Sequence, residues 1–343
     1  MVENAVSTNS ERVERFRIAI FECRTLSEFV KFHSKPRVKT RGYSHVTLLG
    51  LLFSLSLQSV TIRKPLSTKM EQYTVTADWL NNHQSDKNLI ILDARQKNNK
   101  AGLTSSFENI QIKNAIHFDI KGSFSDLDSP FPNMLLNATD FEKRCQALGI
   151  NSSSRIVVYD ALGIYTSPRV WWMFRAMGHK NVTVLDGGLP EWAAKGYATE
   201  AFEKTSNLSK GNFKAAFQPK MVVDIDFVKE NINTEAAMVM DARSAGRFNG
   251  TTPEPRKGLR GGNIPKSVSL PFQAVLENGK FKSPKAIQAI FNDFGIKKNQ
   301  PIIFSCGSGI TACIIYMASE MALDNPKAVY DGSWTEWGMT AHG

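Results

Sequence analysis

The chain has 343 residues, 42% hydrophobic and 22% charged, which suits two domains of ordinary size and excludes a long disordered chain. Four cysteines (Cys23, Cys145, Cys306 and Cys313) are too few for a disulfide scaffold and form no C-x-x-C or Cys/His zinc cluster; they point to a reducing compartment, cytoplasmic or mitochondrial. The net charge of +10 is uneven: 12 Lys and Arg against 5 Glu give residues 1–70 a net +7 and leave +3 for 71–343, so the body of the protein lacks the basic surface of a nucleic-acid binder.

Residues 1–70 read as an N-terminal extension. Within it, 46–62 (VTLLGLLFSLSLQSVTI) is a run of 17 uncharged residues flanked by Arg37, Lys39 and Arg41 before and Arg63 and Lys64 after. It sits at the short limit for a membrane span and too far from Met1 for a usual signal peptide. Glu3, Glu11, Glu14, Glu22 and Glu28 argue against a mitochondrial presequence, which is normally poor in acids. Three readings stay open: a membrane anchor, an atypical targeting region, or an extension absent from the working protein, with Met70 as an alternative start.

The remainder is written twice. LIILDAR (89–95), ALGI (147–150), RIVVYD (155–160) and VLDGGLPEW (184–192) return as MVMDAR (238–243), DFGI (293–296), PIIFSC (301–306) and VYDGSWTEW (329–337). The spacings agree: 67 residues from Asp93 to Asp160 against 65 from Asp241 to Cys306, and 26 from Asp160 to Asp186 against 25 from Cys306 to Asp331. Short β-branched runs at 89–92, 156–159 and 182–185, and again at 238–240, 302–305 and 328–330, alternate with amphipathic stretches. That pattern predicts two α/β domains, each a mainly parallel sheet flanked by helices, over 71–198 and 222–343. The polar, aperiodic stretch 199–221 reads as the linker.

The repeat aligns Asp160 with Cys306. Both follow a buried strand, where open α/β sheets place their ligand sites, but only the second copy offers a nucleophile. Cys306-Gly307-Ser308-Gly309-Ile310-Thr311 leads into an apolar helix from Ala312. Glycines let such a loop turn its N–H groups inward, and the helix adds the positive end of its dipole, so Cys306 is expected to react as thiolate. A cysteine phosphatase needs arginine at the sixth residue after the nucleophile, and here that residue is Ala312. A single compact anion, a thiolate or persulfide, needs only the N–H donors of Gly307, Gly309 and Ile310 and a hydroxyl such as Thr311.

The tandem repeat, the CGSGITA loop, the DGSWTEW ending, YTSPRVWWMFRAMGH (165–179) and FNGTTPEPRKGLRGGNIP (248–265) resemble the two-domain rhodanese superfamily, in particular its 3-mercaptopyruvate sulfurtransferase branch. The resemblance spans about 72–340 and implies two tandem rhodanese-like domains, the first noncatalytic. It implies that Cys306 takes sulfur from 3-mercaptopyruvate as a persulfide, releases pyruvate and passes the sulfur to a thiol such as thioredoxin or glutathione, or to cyanide. No cofactor or metal is implied. Arg247 and Arg256 are implied to bind the substrate carboxylate and polarise its keto oxygen, and Ser308 to help move a proton. The thiosulfate branch carries two basic residues after the cysteine, where this chain has Gly307 and Ser308. Thiosulfate transfer is the enzymatic alternative, and a weakly active sulfur carrier is another.

The family carries a first-domain histidine, in a His-Ile-Pro-Gly segment, that faces the catalytic loop and joins an Asp and the loop serine in a proton relay. Aligned on HFDI (117–120), that place reads Gln111-Ile112-Lys113-Asn114, and the second-domain counterpart reads Asn263-Ile264-Pro265. No match for the relay Asp is found in 104–109. An amide does not relay protons as imidazole does. Trp171, Trp172, Met173 and Phe174 are expected to pack between the domains, Asp93 and Asp241 to hold loops, and Cys313, His117 and His179 to be structural.

Overall fold

The six apolar runs become strands because each is buried on both faces, the condition that favours continuous Val/Ile/Leu segments over alternating ones. The structure, a computed structural model, describes residues 69–97, 99–203 and 208–340. Cys23, the apolar segment 46–62 and the rest of the extension up to residue 68 lie outside the described residues. No helix among the described residues is long and apolar enough to cross a membrane.

The first repeat runs β1 (Thr74–Val75), α1 (Ala77–His83), β2 (Leu89–Asp93), β3 (Ile110–Ile112), β4 (Ile116–His117), α2 (Ala138–Ala147), β5 (Arg155–Tyr159), α3 (Ser167–Ala176), β6 (Val182–Leu185), α4 (Gly188–Ala194) and β7 (Thr199–Ala201). The second runs β8 (Val222–Val223), α5 (Ile225–Thr234), β9 (Met238–Asp241), α6 (Ala245–Phe248), β10 (Val268–Ser269), β11 (Leu276–Glu277), β12 (Lys280–Phe281), α7 (Pro284–Asn292), β13 (Ile302–Ser305), α8 (Ala312–Ala322), β14 (Lys327–Tyr330) and α9 (Ser333–Trp337). The main sheets have the same order, β1-β6-β5-β2-β4 and β8-β14-β13-β9-β10, and every pairing in them is parallel. The duplication in sequence is therefore a duplication in topology.

The two repeats pack as one unit about a helix from each. Helix α3 lies against α8, and one hydrophobic cluster runs from Phe118, Phe141 and Trp172 of the first repeat to Phe304, Ile315 and Met317 of the second. Trp171 meets Tyr316 with ring centroids 6.1 Å apart, which puts this tryptophan between the repeats as expected. An exchange of hydrogen bonds from backbone N–H to carboxylate completes the junction: Leu135 N–H donates to the Asp331 carboxylate (2.7 Å) and Phe281 N–H to the Asp186 carboxylate (3.0 Å). The exchange is symmetric, because Leu135 and Phe281 each stand three residues before the helix that follows, α2 and α7.

The described residues 199–203 and 208–218 are strapped along the first repeat. Strand β7 pairs antiparallel with β3, Phe213 is fully buried in the shared core, and the N–H groups of Ala216 and Gln218 donate to Met177 and Ala176. Their polar, aperiodic composition hides this because most of the attachment is made by backbone. Asp93 and Asp241 hold loops as expected. Each accepts from the N–H of the arginine two residues on, Arg95 and Arg243, and from that residue's guanidinium. Burial pushes the Cys145 and Cys313 thiols up, and Cys313 donates to the Gly309 carbonyl (3.2 Å), the behaviour of a core residue. His179 is buried against Phe174 and Phe213, and burial lowers its pKa. His117 meets Phe202 edge-on.

Candidate functional site

Strand β13 delivers Cys306 to the floor of a cleft of about 570 Å³ between the repeats, where the residue is 1% exposed. The second repeat lines the cleft with Arg247, Arg256, Phe272, Gly307, Ser308, Ile310 and Thr311. The first contributes Lys100, Lys121, Asn133, Tyr165 and the 125–132 loop. Burial, with the Cys306 sulfur and Asp160 nearby, pushes the Tyr165 hydroxyl up to about 12, so it stays a neutral hydroxyl beside the cysteine.

The DGSWTEW ending buttresses the loop from behind. Ser333 sits at φ 52 and accepts from the N–H of both Cys306 and Gly309 (3.2 Å each) while donating to the Tyr330 carbonyl (2.8 Å). Trp334 N–H bonds the Cys306 carbonyl (2.9 Å) and Thr335 N–H the Gly307 carbonyl (3.0 Å). This corrects one expectation, since the Gly309 N–H is held by Ser333 and does not face the sulfur. Gly309 serves instead through its left-handed backbone (φ 74), where a Cβ would stand 2.8 Å from both Arg169 and Asp331. Among the described residues, no protein acceptor takes the N–H of Gly307, Ser308, Ile310, Thr311 or Ala312.

The corresponding loop of the first repeat shows what such N–H groups do. The Asp160 carboxylate accepts from the N–H of Leu162 (2.9 Å), Tyr165 (2.9 Å), Thr166 (3.0 Å) and Ser167 (2.9 Å) and from the Ser167 hydroxyl (2.7 Å). One repeat fills its anion cradle with its own side chain. The other leaves the cradle to a thiol.

Arg247 and Arg256 come together beside the loop. A Cβ at Gly307 would stand 2.9 Å from Arg247 Nη2 and 3.6 Å from Arg256 Nη1, so the guanidinium groups occupy the space that a side chain at 307 would take. Arg247 is held by Glu254 (2.6 Å), whose side chain is fully buried and also binds Arg243 (2.7 Å). Arg256 is in no ion pair among the described residues and donates to Ser308 Oγ (2.9 Å). Burial, with the neighbouring Arg247, lowers the Arg256 pKa against the pull of the Cys306 sulfur. Thr311 lines the cleft at the N-terminal boundary of α8 with no capping bond from its side chain.

The position aligned with the family histidine does not reach the cleft. Gln111 is buried in β3, where its amide nitrogen donates to Glu200 (2.8 Å) and to the Ala115 carbonyl (3.2 Å), and it does not line the cleft. The first-repeat residue that faces Ser308 is Asn133, whose Nδ2 lies 2.9 Å from Ser308 Oγ and 3.3 Å from the Ser308 carbonyl. The contact joins residues 175 apart, and no local pattern announces it. Arg169, Glu254 and Tyr165 were likewise not singled out. Arg169 is fully buried and ties Asp331 (2.6 Å), the Gly309 carbonyl (3.3 Å) and the Asn133 carbonyl (2.6 Å) together. Among the described residues no group of three or more His, Cys, Asp or Glu is placed to hold a metal ion.

Duplicated parallel sheets, one central strand followed by aspartate and its twin by cysteine, define a tandem rhodanese-type protein. The model of the rhodanese-like domain matches residues 76–195 and 224–340, and the chain belongs to the rhodanese family. It is 38% identical over 293 residues to the mitochondrial thiosulfate/3-mercaptopyruvate sulfurtransferase 1 of Arabidopsis thaliana, covering 79% of this chain and 77% of that one. It is also 38% identical over 271 residues to the 3-mercaptopyruvate sulfurtransferase of Escherichia coli K12, covering 78% of this chain and 95% of that one. The crystal structure of SseA from Escherichia coli, described as a 3-mercaptopyruvate sulfotransferase with the rhodanese fold, superposes with a TM-score of 0.67 at 35% identity, covering 76% of this chain and 98% of that one.

Proposed function

We propose that this protein moves sulfur from 3-mercaptopyruvate to a thiol acceptor through a persulfide on Cys306. The observation that carries the reading is a cysteine at a strand end, on the floor of a cleft, with two arginines beside a loop in which five N–H groups have no protein acceptor among the described residues. The Cys306 thiolate attacks the donor sulfur, and the C–S bond breaks toward the three-carbon fragment, which leaves as pyruvate. The N–H groups of Gly307, Ser308, Ile310, Thr311 and Ala312 stabilise the sulfur anion before and after transfer, as the Asp160 loop stabilises its carboxylate. A thiol such as thioredoxin or glutathione, or cyanide, then removes the outer sulfur.

The choice of donor rests on charge placement. Thiosulfate carries its charge beside the transferred sulfur, whereas mercaptopyruvate carries a carboxylate two carbons away. Here the cations beside Gly307 are Arg247 and Arg256, outside the loop, and Arg247 fills the space where a side chain at 307 would reach. This favours mercaptopyruvate over thiosulfate, and the ratio of the two turnover rates measures the preference.

The direct test is peptide mass after incubation with mercaptopyruvate in the absence of acceptor. A gain of about 32 Da, one sulfur, is expected on the peptide that holds Cys306, and it should disappear when a thiol is added. Pyruvate release with no such adduct would sink the persulfide route.

Arg247→Ala is expected to raise the KM for mercaptopyruvate about 10- to 100-fold, the range of a lost charged hydrogen bond. The fold should survive, because Glu254 keeps Arg243 as partner. An unchanged KM removes Arg247 from the substrate site.

A further inference from the structure

The Ser308 hydroxyl is surrounded by donors. Arg256 Nη2 and Asn133 Nδ2 each lie 2.9 Å from its oxygen. A guanidinium only donates. The Asn133 amide is oriented by a second contact, 3.3 Å to the Ser308 carbonyl, which only accepts, so the nitrogen and not the oxygen faces the loop. A hydroxyl oxygen has two lone pairs, and both are used. What remains is the O–H, and among the described residues no protein acceptor takes it. Ser308 lines the cleft at 8% exposure.

The pseudo-symmetry shows that Asn133 is more than a turn residue. Asn133 stands two residues before Leu135, whose N–H donates to Asp331; Gly279 stands two residues before Phe281, whose N–H donates to Asp186. Both positions have left-handed backbone, φ 65 at Asn133 and φ 75 at Gly279. Glycine meets that demand most cheaply, and the noncatalytic side uses it. The side facing Cys306 carries the tolerated alternative that adds an amide, with its carbonyl pinned by Arg169 Nη2 (2.6 Å).

We propose that Asn133 and Arg256 lock the Ser308 hydroxyl as a one-way hydrogen-bond donor to the substrate's keto oxygen, so that Ser308 acts by keeping its proton and not by relaying it. The inference rests on mercaptopyruvate as the donor. In the transfer step an S–S bond forms between Cys306 and the donor sulfur, and the C–S electron pair passes to the three-carbon fragment as an enolate. The donor's thiol proton ends on the enolate carbon, giving pyruvate and a persulfide anion, with no external oxidant or reductant. Ser308 stabilises the enolate oxygen and is unchanged at the end. Ser308 is the catalytic residue here; Asn133 and Arg256 are positioning residues.

The test compares wild type, Ser308→Ala, Asn133→Asp and the double variant by pyruvate release from mercaptopyruvate across pH 6–9, in water and in deuterium oxide. Asn133→Asp places an acceptor against the hydroxyl and draws its proton out of the cleft. Each single variant is expected to lose about 10²-fold in kcat/KM, the cost of one oxyanion donor, and the double variant to lose no more than Ser308→Ala alone. The Ser308→Ala profile should run parallel to wild type with the same solvent isotope effect, because a fixed donor does not titrate. Additive losses, a pH limb that vanishes with Ser308, or an isotope effect that changes with it would overturn the proposal. Thermal melting checks folding; should Asn133→Asp unfold, the Ser308→Ala profile and isotope effect decide alone. Wild type that releases no pyruvate would overturn the choice of donor instead, a separate result.

Discussion

Cys306→Ser is expected to lower pyruvate release from mercaptopyruvate by more than about 10³-fold while leaving the fold intact. The substitution exchanges sulfur for oxygen at a residue that is 1% exposed, and the surrounding contacts are made by backbone: the Cys306 N–H to Ser333 and its carbonyl to Trp334. Those bonds survive, so the cleft and both arginines stay in place and the KM should change little. What disappears is the sulfur nucleophile, the atom able to hold a second sulfur. A neutral hydroxyl attacks a thiol sulfur poorly and forms no persulfide. Steady-state pyruvate release on protein with an unchanged melting temperature checks this. Activity within tenfold of wild type would remove Cys306 as the sulfur carrier.

Arg169→Met is expected to cost about 3–5 kcal/mol of stability and most of the activity with it, because it strands a buried carboxylate. Burial by itself pushes the fully buried Arg169 guanidinium down, but the Asp331 carboxylate outweighs that and holds the charged form. Without the cation, Asp331 keeps only the Leu135 N–H as neighbour from the first repeat. The Gly309 and Asn133 carbonyls lose their shared donor, so both sides of the Ser308 site come loose together. At roughly 2–4 °C per kcal/mol for chains of 150–250 residues, the melting temperature should fall by about 6–20 °C. A shift of less than about 2 °C would show that the pair contributes no net stability. Arg169→Lys keeps the charge but not the fork that reaches Asp331, Gly309 and Asn133 together, so it should recover stability more than activity.

Much of the fold was legible because it is locally encoded. β-branched runs at matching spacings in two copies predicted both sheets and placed all six central strands to within one residue at each end. The Cys306 loop was legible for the same reason, since its strand, glycines and helix are contiguous. Arg247 and Arg256 were reached by resemblance, and the structure brings them beside Gly307. The segment just before β4 brings no side chain to Ser308, because Gln111 turns to Glu200. The residue against Ser308 comes from the loop after β4, brought there by the junction of the repeats. Nor was the role of 199–221 legible, since most of its attachment is made by main-chain bonds that any residue supplies.

By itself the amino-acid order determined the two α/β repeats, the single thiol at a strand end and the uncharged loop that follows it, because hydrophobic period, turn chemistry and strand-end position act between near neighbours in the chain. Only the packing of one repeat on the other decided which side chains meet that thiol: Asn133 over Ser308, Arg169 through Asp331, and the arginines in the space beside Gly307. These contacts join residues far apart in sequence, and they exist only after the apolar faces of α3 and α8 have been buried together.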